Sequence, residues 1–204
     1  EYTSPTYSGL TLHAMANIAE FSQIEEARQR ARQIERRLWA DITCHWHPQA
    51  KQFTAPNSRA YTRDLVGQMS NLREILWVMF GDEVTGISPM QMFDEPEWMH
   101  FHHAHDVPFC ITAACWFISG DYHPDADLTP LLKEKPDPFD IAATAEIGDG
   151  GEVPAHRTVC RTHIRPAFSV GSTNTNWLTG EQMNMLGMTC AHDDAPIGST
   201  IYMK

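Results

Sequence analysis

The sequence predicts an α+β protein, with antiparallel helical hairpins over residues 1–120 and the start of an antiparallel β-sandwich over residues 140–204. Two observations carry this. Apolar residues recur at three- and four-residue steps through the first half, the period of a helix with one buried stripe. Past Gly120 the texture changes: Pro124, Pro130, Pro136 and Pro138 crowd into a stretch that cannot hold a long helix, and short runs between Gly, Pro, Asn and Asp follow it. A hydrophobic content of 42% over 204 residues is enough to fill a core.

In chain order, the turn Ser4-Pro5-Thr6-Tyr7 leads into a helix over residues 8–21 carrying Leu10, Met15, Ile18, Ala19 and Phe21. Ser22-Gln23-Ile24-Glu25 matches a capping box, after which Ile24, Ala27, Ala31, Ile34, Leu38 and Ile42 mark an amphipathic helix. Glu25, Glu26, Arg28, Arg30, Arg32, Glu35, Arg36 and Arg37 fall on its other side and read as a solvated face. The short link makes this pair an αα-hairpin. A loop of functional length follows Trp46-His47-Pro48, and helix resumes over 62–80 through Leu65, Met69, Leu72, Leu76 and Met79 until Gly81 stops it. A buried helix over 109–118 completes a second hairpin, with Trp39, Trp77 and Trp116 expected in the core. Residues 121–139 read as a proline-rich linker, and 140–147, 157–164, 167–170, 182–190 and 199–203 as strands.

Charge removes several functions. With 15 Lys plus Arg against 26 Asp plus Glu, the net charge of -11 disfavours nucleic acids and anionic membranes, so an anionic ligand needs a local basic pocket. No run is long and apolar enough to span a membrane, and no glycine-rich phosphate loop, GxSxG or EF-hand loop occurs. Cys44, Cys110, Cys115, Cys160 and Cys190 are odd in number and widely spaced, as structural thiols are. Both chain ends read like the interior of a longer protein.

Chemistry concentrates in residues 56–64, where Asn57, Arg59, Tyr61, Arg63 and Asp64 enter the predicted third helix. A helix N-terminus offers unpaired amides and arginine adds bidentate bonds, a combination that suits a uronic-acid carboxylate. Neutralising that carboxylate acidifies the neighbouring proton, which Tyr61 or Tyr7 can remove before the leaving oxygen is protonated. The alternative assigns Asn57, Ser58 and Asp64 to turn caps and the arginines to surface pairs. His100, His102, His103, His105 and Asp106 form a second constellation. It matches no established zinc spacing, so no cofactor is expected and a divalent metal there is the minor reading; His103 and His105 are the members best suited to proton transfer. Trp46 and Trp98, beside polar loops, are the sugar-stacking candidates.

Helical hairpins with polar, aromatic rim loops followed by an all-β segment resemble the (α/α) toroid plus β-sandwich polysaccharide lyases of the heparinase II/III and chondroitin or alginate lyase groups. The strings at 4–7 and 56–61 are also similar to those of bacterial and fungal proteins of uncertain activity. The lyase resemblance implies β-elimination on an acidic glycan, with Tyr61, His105, Asn57 and Arg59 catalytic and Tyr7, Arg63, Trp46, Trp98, His103 and Asp64 binding substrate. It also implies a secreted or periplasmic protein. A toroid uses five to seven hairpins and two are visible, so the expectation is a fragment. Two alternatives remain open: a glycoside hydrolase using Asp64, Asp106 or Asp121, and a non-catalytic glycan-binding module.

Overall fold

The computed structural model describes residues 3–58, 70–88, 115–147, 156–174 and 185–203. Helices α1 (Pro5–Phe21), α2 (Glu25–His45), α3 (Asn71–Phe80) and α4 (Asp82–Thr85) occupy the first half, with the two-residue strands β1 (Trp46–His47) and β2 (Gln52–Phe53) between α2 and α3. A 3-10 turn (Thr129–Leu132) precedes β3 (Phe139–Ile147), β4 (His156–Arg165), β5 (Phe168–Thr173), β6 (Leu186–Cys190) and β7 (Ser199–Met203). The class is α+β, as the patterning predicts. Among the described residues no helix is long and apolar enough to cross a membrane.

The first helix starts earlier than its apolar pattern suggests. Ser4 caps it, its Oγ accepting the Tyr7 amide at 3.2 Å, and Pro5 takes the first helical position, where its missing N–H costs nothing. The predicted capping box does not form. Ser22 closes α1 through its amide to Ile18 and uses its Oγ on Ile24, so the end of one helix claims the residue expected to start the next. The third helix begins at Asn71, because Ser70 is extended (φ -125°, ψ 157°) and caps it by accepting the Arg73 amide at 3.2 Å. The single helix predicted over 62–80 is therefore interrupted at Ser70, and residues 62–69 lie outside the described residues.

Leu12 and Ala16 of α1, Trp39 and Ile42 of α2, and Leu72, Ile75 and Leu76 of α3 form the core, joined by Trp46, Val84, Phe117, Tyr122 and Leu132. Burying each large side chain contributes about 1.5–3 kcal/mol. At Gly9 the helices α1 and α3 meet backbone to backbone: a Cβ there would lie 2.6 Å from the Asn71 carbonyl carbon. The buried stripe of α2 runs Ala31, Glu35, Trp39, Ile42, while Ile24 and Ile34 are exposed. Glu35, expected on the solvated face, is thus inside, where its Oε1 accepts the His123 amide at 2.7 Å. Of the tryptophans expected in the core, Trp39 is buried, Trp77 is half-buried with its indole N–H on Asp82, and Trp116 is exposed. Tyr122 and Leu132, from the proline-rich segment, pack into the helical core, and Lys135 donates to the Thr43 and Leu131 carbonyls at 2.6 and 2.7 Å.

The sheet is an antiparallel meander in the order β3-β4-β5-β6-β7. Its inner face is mostly small and polar, with Thr158, Cys160, Thr162, Ser169 and Thr189 buried alongside Ile164. Such a face lets another backbone come close, and the segment around β2 does so. Thr162 Oγ1 donates to the Ala55 carbonyl at 2.9 Å, Gln52 donates to the Gly198 carbonyl, and Thr200 Oγ1 donates to Gln52 Oε1 at 2.7 Å. A Cβ on Gly171 would collide with the Ala55 carbonyl oxygen, so β5 needs glycine there. The outer face carries the pairs His163–Asp140 (2.9 Å) and Arg165–Asp140 (3.0 Å) on β3 and β4, with Leu186, Ile201 and Met203 exposed on β6 and β7.

Candidate functional site

Two polar strings more than fifty residues apart meet at the first turn of α1. The Asn57 side-chain amide donates to the Thr3 carbonyl at 2.8 Å and to the Thr54 carbonyl at 3.2 Å, and Thr3 Oγ1 donates to the Pro56 carbonyl. From α3, Asn71 Nδ2 reaches the Thr6 carbonyl at 3.2 Å. Thr3, Ser4, Thr6, Asn57, Ser58, Ser70 and Asn71 are all buried. Buried polar groups persist only where they are bonded, so this junction is a fixed framework and not a solvated loop. The Ala55–Pro56 peptide at its edge is cis, and Ala55 ties it to the sheet through Thr162.

The proposed site residues fall into two groups. Asn57, Tyr7 and Trp46 are described. Arg59, Tyr61, Arg63, Asp64, Trp98, His103 and His105, together with His100, His102 and Asp106, lie outside the described residues. Asn57 is 2% exposed and both hydrogens of its amide face backbone carbonyls, which makes it a holder of the loop. Tyr7 is half-buried on the first turn of α1, one residue from Thr6. Trp46 is buried in the core, 5.4 Å beneath the Arg73 guanidinium, so it does not offer a stacking face to a saccharide. Asp121, one carboxylate of the hydrolase alternative, is exposed and stands 3.9 Å from His123 Nε2.

Several buried polar groups lie away from the strings that carry the proposed chemistry. Arg73 lies wholly inside, donating to the Thr85 and Lys51 carbonyls; burial lowers its pKa to about 9, which leaves it charged at neutral pH. It braces the β1–β2 turn against α3 and α4. His47 is fully buried, its Nδ1 accepting the Ala50 amide at 3.1 Å, and burial pushes its pKa down to about 4. His13 is likewise depressed by burial and sits in a chain of bonds: Asn17 Nδ2 lies 3.1 Å from His13 Nε2, and His13 Nδ1 lies 2.9 Å from the Tyr122 hydroxyl. That hydroxyl donates to the Phe117 carbonyl at 3.0 Å, so a neutral imidazole protonated on Nδ1 satisfies every member. Burial raises the pKa of Tyr122, with Glu35 and Glu74 adding to it. No local pattern marks Arg73 or His13 as buried, because each sits on a helix at a position where a polar side chain ordinarily faces water.

No group of three or more metal-ligating side chains occurs among the described residues. Cys44, Cys160 and Cys190 are free and at least partly buried, whereas Cys115 is exposed; burial raises the Cys44 and Cys160 thiols, the latter to about 11, so both are protonated at neutral pH. A family model described as a domain of unknown function (DUF8769) matches residues 1–117, a span holding α1 to α4, the junction at α1 and both polar constellations. No curated protein and no solved structure matches the chain.

Proposed function

The chain belongs to the DUF8769 family, a domain of unknown function, and from that premise we propose that it is a carbohydrate-active enzyme of the polysaccharide lyase type, cleaving a uronate-containing glycan by β-elimination. One observation supports the reading above others: Thr3, at the entry to α1, is locked to Pro56 and Asn57, and the chain runs from Ser58 directly into Arg59, Ala60 and Tyr61. A framework that is already fixed and buried needs no further ordering when substrate binds beside it.

In this reaction Arg59 neutralises the uronate carboxylate, which acidifies the α-proton. The Tyr61 phenolate takes that proton, its electrons form the carbon–carbon double bond, and the glycosidic carbon–oxygen bond breaks. The leaving oxygen is protonated by His105 or by the newly formed phenol. Asn57 is a positioning residue, because its amide hydrogens are committed to Thr3 and Thr54. Tyr7, Arg63, Asp64, Trp98 and His103 remain the proposed substrate contacts. The test is incubation with a panel of uronate polysaccharides, following ultraviolet absorbance of the unsaturated product. Wild type is expected to generate it and Tyr61→Phe to abolish it with the fold intact by circular dichroism; equal rates for the two would remove Tyr61 from the mechanism.

A further inference from the structure

A cavity of about 580 Å³ opens where the turn between β1 and β2 meets the loops of the sheet, away from the junction at α1. Two lysines distant in sequence, Lys51 and Lys133, converge on it, joined by Gln49, His192 and Asp193, while Pro48, Pro166 and Ala167 supply apolar wall. We propose that this cavity is a subsite for an acidic oligosaccharide, holding the carboxylate of one uronic-acid unit between Lys51 and Lys133. It rests on the reading above for the class of glycan.

The chain carries a net charge of -11, so two ammonium groups on one concave surface are a departure from its general field. Lys51 occupies a left-handed backbone position (φ 52°), uncommon for a residue with a side chain, and its Nζ donates to the Glu83 carbonyl. Partial burial lowers its pKa, so water solvates the cation incompletely and an approaching anion stabilises it. Lys133 Nζ donates to Glu83 Oε2 at 2.5 Å, but both side chains are largely exposed, and such pairs contribute only about 0–1 kcal/mol. A ligand carboxylate can therefore share Lys133. Each ammonium has three donors and uses one among the described residues, which leaves four for a ligand.

The remaining lining suits the rest of a sugar. His192 is fixed by Nε2 to Ser199 Oγ at 2.8 Å, and Gln49 and Asp193 offer donor and acceptor groups to hydroxyls. Proline and alanine surfaces match the CH face of a pyranose. The cations among the described lining residues are lysines, point charges that meet a single carboxylate without the paired geometry a guanidinium demands. The volume lies within the roughly 300–1,000 Å³ usual for small-ligand sites.

Isothermal titration of the full chain with a short oligogalacturonate, a neutral oligosaccharide of equal length and inorganic phosphate tests the assignment. The acidic oligosaccharide is expected to bind, more weakly as salt rises, and Lys51→Gln with Lys133→Gln to reduce its affinity by about tenfold or more. Lys133 is exposed, so the single Lys133→Gln variant keeps the test valid should Lys51→Gln disturb the turn. No binding, equal binding of the neutral sugar, complete competition by phosphate, or unchanged affinity in the lysine variants would each overturn the subsite. Turnover measured in parallel separates the two claims. Lysine-dependent binding without an unsaturated product overturns the elimination reading alone, and unsaturated product with lysine variants that bind like wild type overturns the subsite alone.

Discussion

Replacing Asn57 by alanine removes the side chain that joins residues 56–58 to the start of α1. The amide is 2% exposed and donates at 2.8 Å to Thr3 and 3.2 Å to Thr54, so the variant leaves two buried carbonyls short of a donor and an amide-sized void. A buried polar group deprived of its partner costs about 1–3 kcal/mol, and with partial relaxation the pair comes to about 2–4 kcal/mol. For a chain of this length each kcal/mol lowers the melting temperature by about 2–4 °C, so Asn57→Ala should melt roughly 4–16 °C below wild type. Urea unfolding followed by far-ultraviolet circular dichroism gives the free energy independently. Asn57→Asp should cost at least as much at neutral pH, since it sets a carboxylate against two carbonyl oxygens. Wild-type stability in Asn57→Ala, paired with lost glycan binding, would refute the positioning role and return the amide to direct contact with substrate.

Other consequences concern the buried charges and the sheet contact. Arg73→Lys keeps the charge but cannot bridge the Thr85 and Lys51 carbonyls together, and a loss of about 1–3 kcal/mol in chemical denaturation is expected; no loss would mean the guanidinium does not brace the turn. Gly171→Ala drives a methyl group into the Ala55 carbonyl and should destabilise by about 1–3 kcal/mol, whereas a neutral effect would contradict the close approach of β5 to the junction. His47 has a folded pKa of about 4 against 6.5 when unfolded, so on acidification the unfolded chain takes up the proton first. Its contribution is present above about pH 6.5 and is lost as pH falls to 4, amounting to about 3 kcal/mol. Unfolding measured across that window should show a steeper pH dependence in wild type than in His47→Gln, and equal slopes would count against a buried neutral imidazole.

The helices and strands were legible because each has its own period and punctuation. Gly81 after Phe80 marks a real boundary and the strand predicted over 199–203 is β7, whereas Pro5 after Ser4, read as part of a turn, is where α1 starts. The capping box failed because Ser22 had two possible employers and the end of α1 took it. Glu35 was misplaced because local sequence cannot reveal a distant partner: His123 lies far along the chain from it. The 56–64 string drew notice from its residue types, which say nothing of direction. Only the fold reveals that Asn57 turns inward onto Thr3, and that the sheet's Thr- and Gly-rich inner face admits the backbone at Ala55.

Digestion of a uronate polysaccharide in heavy-oxygen water, with the products weighed by mass spectrometry, tests the proposed elimination most directly. Elimination adds no water, so the account predicts fragments with an unsaturated end and no label at the cleaved bond. Saturated fragments carrying one heavy oxygen would contradict it and point to hydrolysis.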